Sequence, residues 1–162
     1  MEAQHTLILL RHAKSDWSGG EADRLRPLAT RGRRQAAEAG RWLAASVDHL
    51  DLAVVSPAER ARSTWELASA ELAAPPPTRF EERAYAASGE ALLRLVQELD
   101  DDLATVVLVG HNPDLEDLVE TLIGAWVHMP TSAIAVVTLS GPWDGAGPSS
   151  ATLVASGRPP TT

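Results

Sequence analysis

Thr6-Leu7-Ile8-Leu9-Leu10-Arg11-His12-Ala13-Lys14-Ser15-Asp16-Trp17 is the stretch on which the fold turns. Thr6 to Leu10 is a short apolar run without a polar break, the pattern of a strand buried on both faces of a parallel sheet. Arg11 and His12 follow at once, where such a strand ends and the chain turns. In open α/β sheets ligands bind just beyond the carboxyl ends of the strands. An Arg-His pair at that point is therefore placed to meet a ligand. Arginine offers fixed, forked donors suited to a phosphate or carboxylate. Histidine serves there as nucleophile or proton carrier.

Working outward, strand and helix patterns alternate. Asp16 to Thr30 is polar, with Gly19-Gly20 and Pro27, and reads as a loop. A helix from about Arg31 to Ala45 keeps Ala36, Ala39, Leu43 and Val47 on one face and Arg31, Arg33, Arg34 and Arg41 in solvent. Leu52 to Val55 is a second buried strand. Ser56 is expected to cap the next helix and Pro57 to open it, with Ala61, Trp65, Ala68 and Leu72 inward. Pro75-Pro76-Pro77 makes a stiff connector to a short strand from Thr78 to Glu81. Ser88 caps a helix whose buried stripe is Leu92, Leu95, Val96 and Leu99, and Asp100-Asp101-Asp102 reads as a solvated turn.

Thr105 to Val109 is the most strand-like run, followed directly by Gly110-His111-Asn112-Pro113. Asn112 is expected to cap, with Pro113 in the first turn of a helix carrying Leu115, Leu118, Val119 and Leu122 inward. Ala133 to Leu139 and Ala151 to Ala155 are two last strands around a Gly/Pro/Ser-rich hairpin loop. The alternation predicts an α/β protein, a three-layer α/β/α sandwich with a mostly parallel central sheet. Residues 1–157 are expected to form one domain and residues 158–162 a frayed tail.

Composition narrows the function. The net charge of −8 speaks against a general affinity for nucleic acid or anionic membrane. There is no cysteine, which removes disulfides, thiolate zinc sites and cysteine-nucleophile chemistry. No apolar stretch is long enough to span a bilayer, and the first residues do not read as a signal peptide. A cytoplasmic protein is the expectation. His111 and Asp114 lack the further ligands of a metal site, so neither metal nor other cofactor is expected. His5, His49 and His128 read as surface or edge residues, and the five Trp as core and loop anchors.

Four strand ends then carry candidate chemistry: Arg11 and His12; Arg60, just past Ser56-Pro57; Glu81 or Glu82; and His111. Parallel strands joined by helices end on one edge, so these groups converge on one cleft. Arg11, Arg60 and His111 suit a phosphate dianion and the charge on its equatorial oxygens during transfer. His12 suits attack on phosphorus, with its proton held on the other ring nitrogen by a backbone acceptor. The carboxylate suits protonation of the leaving group.

The same places carry a family resemblance. Arg11-His12-Ala13 is similar to the Arg-His-Gly motif of the histidine phosphatase superfamily, the phosphoglycerate mutase-like proteins, in a form resembling the small SixA-type phosphohistidine phosphatases. Ser56-Pro57-Ala58-Glu59-Arg60-Ala61-Arg62-Ser63-Thr64 resembles the family segment Ser-Pro-x-x-Arg-Ala-x-Gln-Thr, with Ser63 in the Gln place. Gly110-His111-Asn112-Pro113 resembles the second-histidine motif, and Asp23 to Gly32 the first loop and helix start. The resemblance implies His12 as phosphoryl acceptor, with Arg11, Arg60 and His111 around the phosphate. Ser18 follows the motif Trp17 where mutase-like members have a phosphate-touching Asn, which makes it a candidate contact. Glu81-Glu82-Arg83-Ala84-Tyr85 is similar to Asn-Glu-Arg-x-Tyr and favours Glu82 as the acid.

The implied protein is a metal-independent phosphatase acting on phosphohistidine proteins. A small-molecule phosphomonoesterase or mutase is the second enzyme reading, and a non-catalytic phosphate-binding module the reading from another class. Ser56 to Ser88 leaves room for one helix, a Pro-rich connector and a short strand, with nothing to build a lid. A phosphorylated side chain on a folded protein is therefore expected to fit.

Overall fold

The computed structural model describes residues 4–161. The strands are β1 (Gln4–Arg11), β2 (Leu52–Val55), β3 (Thr78–Phe80), β4 (Thr105–Gly110), β5 (Ile134–Ser140), β6 (Ala151–Gly157) and β7 (Pro160–Thr161). The helices are α1 (Thr30–Ser46), α2 (Glu59–Ser69), α3 (Gly89–Gln97) and α4 (Asp114–Ile123). One sheet runs in the order β3-β2-β4-β1-β5-β6-β7. β3, β2, β4 and β1 are parallel, whereas β5, β6 and β7 add antiparallel to one side. The sheet is thus mixed, and its parallel half is the one built from strand–helix alternation.

β1 shows why the fold has three layers. Leu7, Ile8, Leu9 and Leu10 are all fully buried. Alternate residues point to opposite faces. Leu7 and Leu9 join a core with Leu92, Leu95 and Val96 of α3 and Leu115, Leu118 and Leu122 of α4. Ile8 and Leu10 join a second core with Leu43 of α1 and Trp65 of α2. Each such side chain contributes about 1.5–3 kcal/mol by leaving water. On the second face α1 and α2 pack backbone to backbone. A Cβ added at Gly40 would lie 2.2 Å from the Ala68 carbonyl oxygen, so only glycine permits that crossing.

Several local expectations change. Ser56 does not cap α2: its helix starts at Glu59 after Ala58, and the Ser56 hydroxyl is engaged with His111 instead. Asn112 does not cap α4; its Nδ2 donates to Met129 O at 2.8 Å, and Pro113 stands at the cap. Ser88 does cap α3, accepting from Ala91 N at 3.1 Å. β3 stops at Phe80. Residues 158–161 are not frayed, because Pro160 and Thr161 fold back and pair with Gly157 and Ser156; Thr162 lies outside the described residues. His5 is not a surface residue. It is 2% exposed, its ring nitrogens lie 2.6 Å from Gly141 O and 3.0 Å from Asp101 O, and it packs against buried Trp143. Among the Trp, Trp65 and Trp143 are core, but Trp17 and Trp126 are exposed.

Candidate active site

The carboxyl ends of the parallel strands share one edge, and a cleft of about 270 Å³ opens there, lined by Arg11, His12, Trp17, Arg26, Arg60 and His111 among others. The turn after β1 is fixed from three sides. His12 N donates to Gly110 O at 3.0 Å, and Ser132 N donates to His12 O at 3.0 Å. Ala13 N donates to Thr64 Oγ1 at 2.9 Å, while that hydroxyl donates to Arg60 O at 2.6 Å. One threonine therefore couples the loop of His12 to the helix of Arg60. Helix α1 closes the other side: a Cβ on Gly32 would lie 1.9 Å from Lys14 O. Gln35 Oε1 accepts from Lys14 N at 3.0 Å.

His12 is 7% exposed, and its Nδ1 lies 2.8 Å from the Ala13 carbonyl oxygen. A carbonyl only accepts, so Nδ1 carries the proton and Nε2 keeps its lone pair. His111 stands beside it, ring centroids 5.1 Å apart. Ser56 Oγ is 2.7 Å from His111 Nε2 and is fully buried. That hydroxyl also receives Ala58 N at 3.3 Å, and among the described residues it has no other acceptor for its own proton. Donation to Nε2 is the arrangement that satisfies it, which leaves the proton of His111 on Nδ1. His111 Nδ1 and the Nε atoms of Arg11, Arg26 and Arg60 are buried without a hydrogen-bond partner among the described residues. Buried donors of this kind are costly unless an acceptor reaches them, and all four of these residues line the cleft.

Both imidazoles are held neutral. Burial pushes His12 down to about 3, with His111 when protonated, Arg60 and Arg11 acting the same way against the Ala13 hydrogen bond. Burial likewise lowers His111 to about 4, helped by Arg60 and Arg11 and opposed by Asp23. An unfolded histidine takes up its proton near 6.5. Below that value the unfolded chain binds more protons than the folded one, so stability is full above it and is lost as pH falls toward 4 and 3. We expect the thermal midpoint to be level above about pH 6.5 and to fall between about pH 6.5 and 5, before most carboxylates titrate. His111→Gln should flatten that decline. An unchanged slope in the variant would show that His111 is not held neutral.

The structure brings Arg11, His12, Arg60 and His111 into one cleft. It does not bring Glu82 there. Arg24 NH2 donates to both oxygens of Glu82, whose side chain is 66% exposed. Glu81 turns to Arg83 and caps a short 3₁₀ turn. Ser18 is also outside the cleft lining, its hydroxyl donating to Asp16 Oδ1 at 2.6 Å in a local turn.

Arg26 and Asp23 take up positions that sequence reasoning missed. A small ribbon in which Ser15 pairs with Leu28 accompanies the placement of Arg26 in the cleft lining. Arg26 is 8% exposed, donates to Ser15 Oγ and Asp23 Oδ1, and lies against Trp17. Arg60 donates to Asp23 O at 2.8 Å and Asp23 Oδ2 at 3.1 Å. Tyr85 OH donates to Asp23 Oδ2 at 2.8 Å, and that bond, then Arg26 and Arg60, holds the Asp23 carboxyl down to about 2. Two signals pointed at this segment, the resemblance of Asp23 to Gly32 to the family's first loop and the Arg26-Pro27 pair, which biases Arg26 to extended backbone, but neither says what Arg26 and Asp23 meet. Among the described residues no group of three or more His, Cys, Asp or Glu is gathered where it could hold a metal ion, and no helix is long and apolar enough to cross a membrane.

Known proteins share this architecture. The model of the histidine phosphatase superfamily (branch 1) matches residues 7–88. An uncharacterized protein of Mycobacterium tuberculosis is 38% identical over 156 residues, covering 90% of this chain and 96% of that protein. A SixA protein from Nakamurella multipartitia is 26% identical, with a TM-score of 0.85 over 100% of both chains. The protein histidine phosphatase SixA, in a structure complexed with tungstate, is 26% identical with a TM-score of 0.80, covering 93% of this chain and 95% of that one.

Proposed function

The chain belongs to the histidine phosphatase superfamily, branch 1, and from that premise we propose that it is a metal-independent phosphatase acting on phosphohistidine in proteins. The observation that carries the reading is the Nδ1 contact of His12 with Ala13 O at 2.8 Å, which leaves an unprotonated Nε2 among Arg11, Arg26 and Arg60. The likeness to a protein histidine phosphatase that holds tungstate, a tetrahedral oxyanion, supports it.

In the first step the Nε2 lone pair forms a bond to phosphorus. The bond from phosphorus to the leaving nitrogen or oxygen breaks and its pair goes to that atom. Arg11, Arg26 and Arg60, with His111 through Nδ1–H, face the charge on the equatorial oxygens. In the second step water attacks phosphorus, the pair of the phosphorus–Nε2 bond returns to Nε2, and the water proton leaves with phosphate or to solvent. A phosphohistidine substrate protonated on its other ring nitrogen departs as neutral imidazole and needs no acid. Glu82, tied to Arg24, is not required for that.

The test is hydrolysis of a phosphohistidine-bearing protein beside a panel of phosphorylated metabolites, before and after exhaustive chelation. Turnover of the phosphoprotein should survive chelation, and Glu82→Gln should change it by less than about twofold. Turnover of small metabolites alone, or a loss restored by a divalent ion, would overturn the reading.

A further inference from the structure

Trp17 is the largest exposed apolar side chain at the mouth of the cleft, 70% exposed although it lines the same cavity as His12 and Arg60. Exposed large aromatics that rim a cleft call for a partner. One face of the indole is already used: the Arg26 guanidinium lies 3.5 Å from the ring centroid. Arg26 is itself anchored by Ser15 and Asp23, so the guanidinium, and with it the indole, is held in place. With one face covered and the side chain still mostly exposed, the other face is free.

We infer that this free face of Trp17 receives the leaving group, so that the site selects phosphoryl groups borne on a planar, unsaturated ring, imidazole above all. The inference rests on the phosphatase reading and assigns the leaving-group side of that site. Two independent observations agree on the class of substrate. The first is the stack of the Arg26 guanidinium on the Trp17 indole, which leaves a flat, exposed aromatic face at the cleft. Flat rings stack on indole more favourably than alkyl chains, and a protonated imidazole gains further from the electron-rich face. The second is that, among the described residues, no carboxylate lines the cleft. Asp23, the nearest to Arg60, is committed to Arg60, Arg26 and Tyr85. An alkoxide leaving group needs a proton donor, whereas an imidazole already protonated on its far nitrogen takes the bonding pair and departs as neutral imidazole.

The test uses two phosphonates that cannot be hydrolysed. Phenylphosphonate carries its ring directly on phosphorus, as phosphoimidazole does; methylphosphonate carries the same anion without a ring. Calorimetry on the intact protein should show phenylphosphonate binding about threefold to tenfold more tightly. Trp17→Ala should bring the ratio close to one, and Trp17→Phe should keep most of it. Equal weakening of both phosphonates by Trp17→Ala would overturn the inference, because Trp17 would then act only by holding Arg26. An unchanged ratio in Trp17→Ala would overturn it as well. The ratio is read without turnover, so a protein that prefers phenylphosphonate through Trp17 yet hydrolyses no phosphohistidine would sustain the ring-binding face and remove the phosphatase reading. Failure to bind either phosphonate would remove both.

Discussion

His12→Ala is expected to lower hydrolysis of any accepted phosphate substrate by about a thousandfold or more, to near the uncatalysed background. The size follows from what the ring does in the proposed reaction: without Nε2 there is no covalent intermediate, and the surrounding arginines can bind substrate but not open a path through it. Binding and turnover should therefore separate. Inorganic phosphate should still bind the variant, since Arg11, Arg26, Arg60 and His111 line the cleft without help from His12. Rapid quenching of the parent protein during turnover should trap phosphate on His12 in an acid-labile, base-stable linkage. Inversion of configuration at phosphorus, with no trapped adduct, would mean direct attack by water and a different role for this residue.

Arg60→Ala carries the second largest effect, a loss of about a hundredfold to a thousandfold in kcat/KM. Arg60 is 7% exposed and reaches the cleft from the first turn of α2. Its guanidinium spans the carbonyl and the carboxylate of Asp23, so the same substitution removes a proposed phosphate donor and the Asp23 contacts that Arg26 shares. Arg60→Lys tests the geometry rather than the charge. A single ammonium cannot make the forked contact, and it should recover less than about a tenth of the lost activity. Parent-like kinetics for Arg60→Lys would show that only positive charge matters at this position.

How far such residues are legible in sequence depends on whether local rules govern them. β1, β2 and β4 are continuous apolar runs, and the residues after a parallel strand have one place to go, so Arg11, His12, Arg60 and His111 could be brought to one edge on paper. Glu82 is the counter-case. Its chain position put it at that edge, but its direction was settled by Arg24, a residue 58 positions away that no periodicity announces. Ser56 and Asn112 have the right chemistry for helix caps and sit at the right offsets. Each was drawn off by a stronger tertiary partner, His111 and Met129 O respectively. Local propensity yields to such contacts when the competing group is buried. Arg26, Asp23 and Trp17 lay in a stretch with no regular pattern, whose shape depends on the Ser15–Leu28 pairing and on the absence of a side chain at Gly32. The antiparallel edge was legible as two strands around a loop, but not the return of residues 160 and 161 onto β6, a contact of only two residue pairs.

The reversal of direction at β5 has a practical corollary for handling the molecule. Ile134 enters beside Leu10 at the edge that carries the cleft and Ser140 leaves beside Gln4, so the loop from Gly141 to Ser150 hangs from the far end of the sheet. Trp143 plugs that loop into the core, yet Gly147 at its tip has nothing within 4 Å of where a side chain would start. A fluorophore, affinity handle or surface tether grafted at Gly147 would point away from the cleft, leaving its mouth free while the molecule is held from behind.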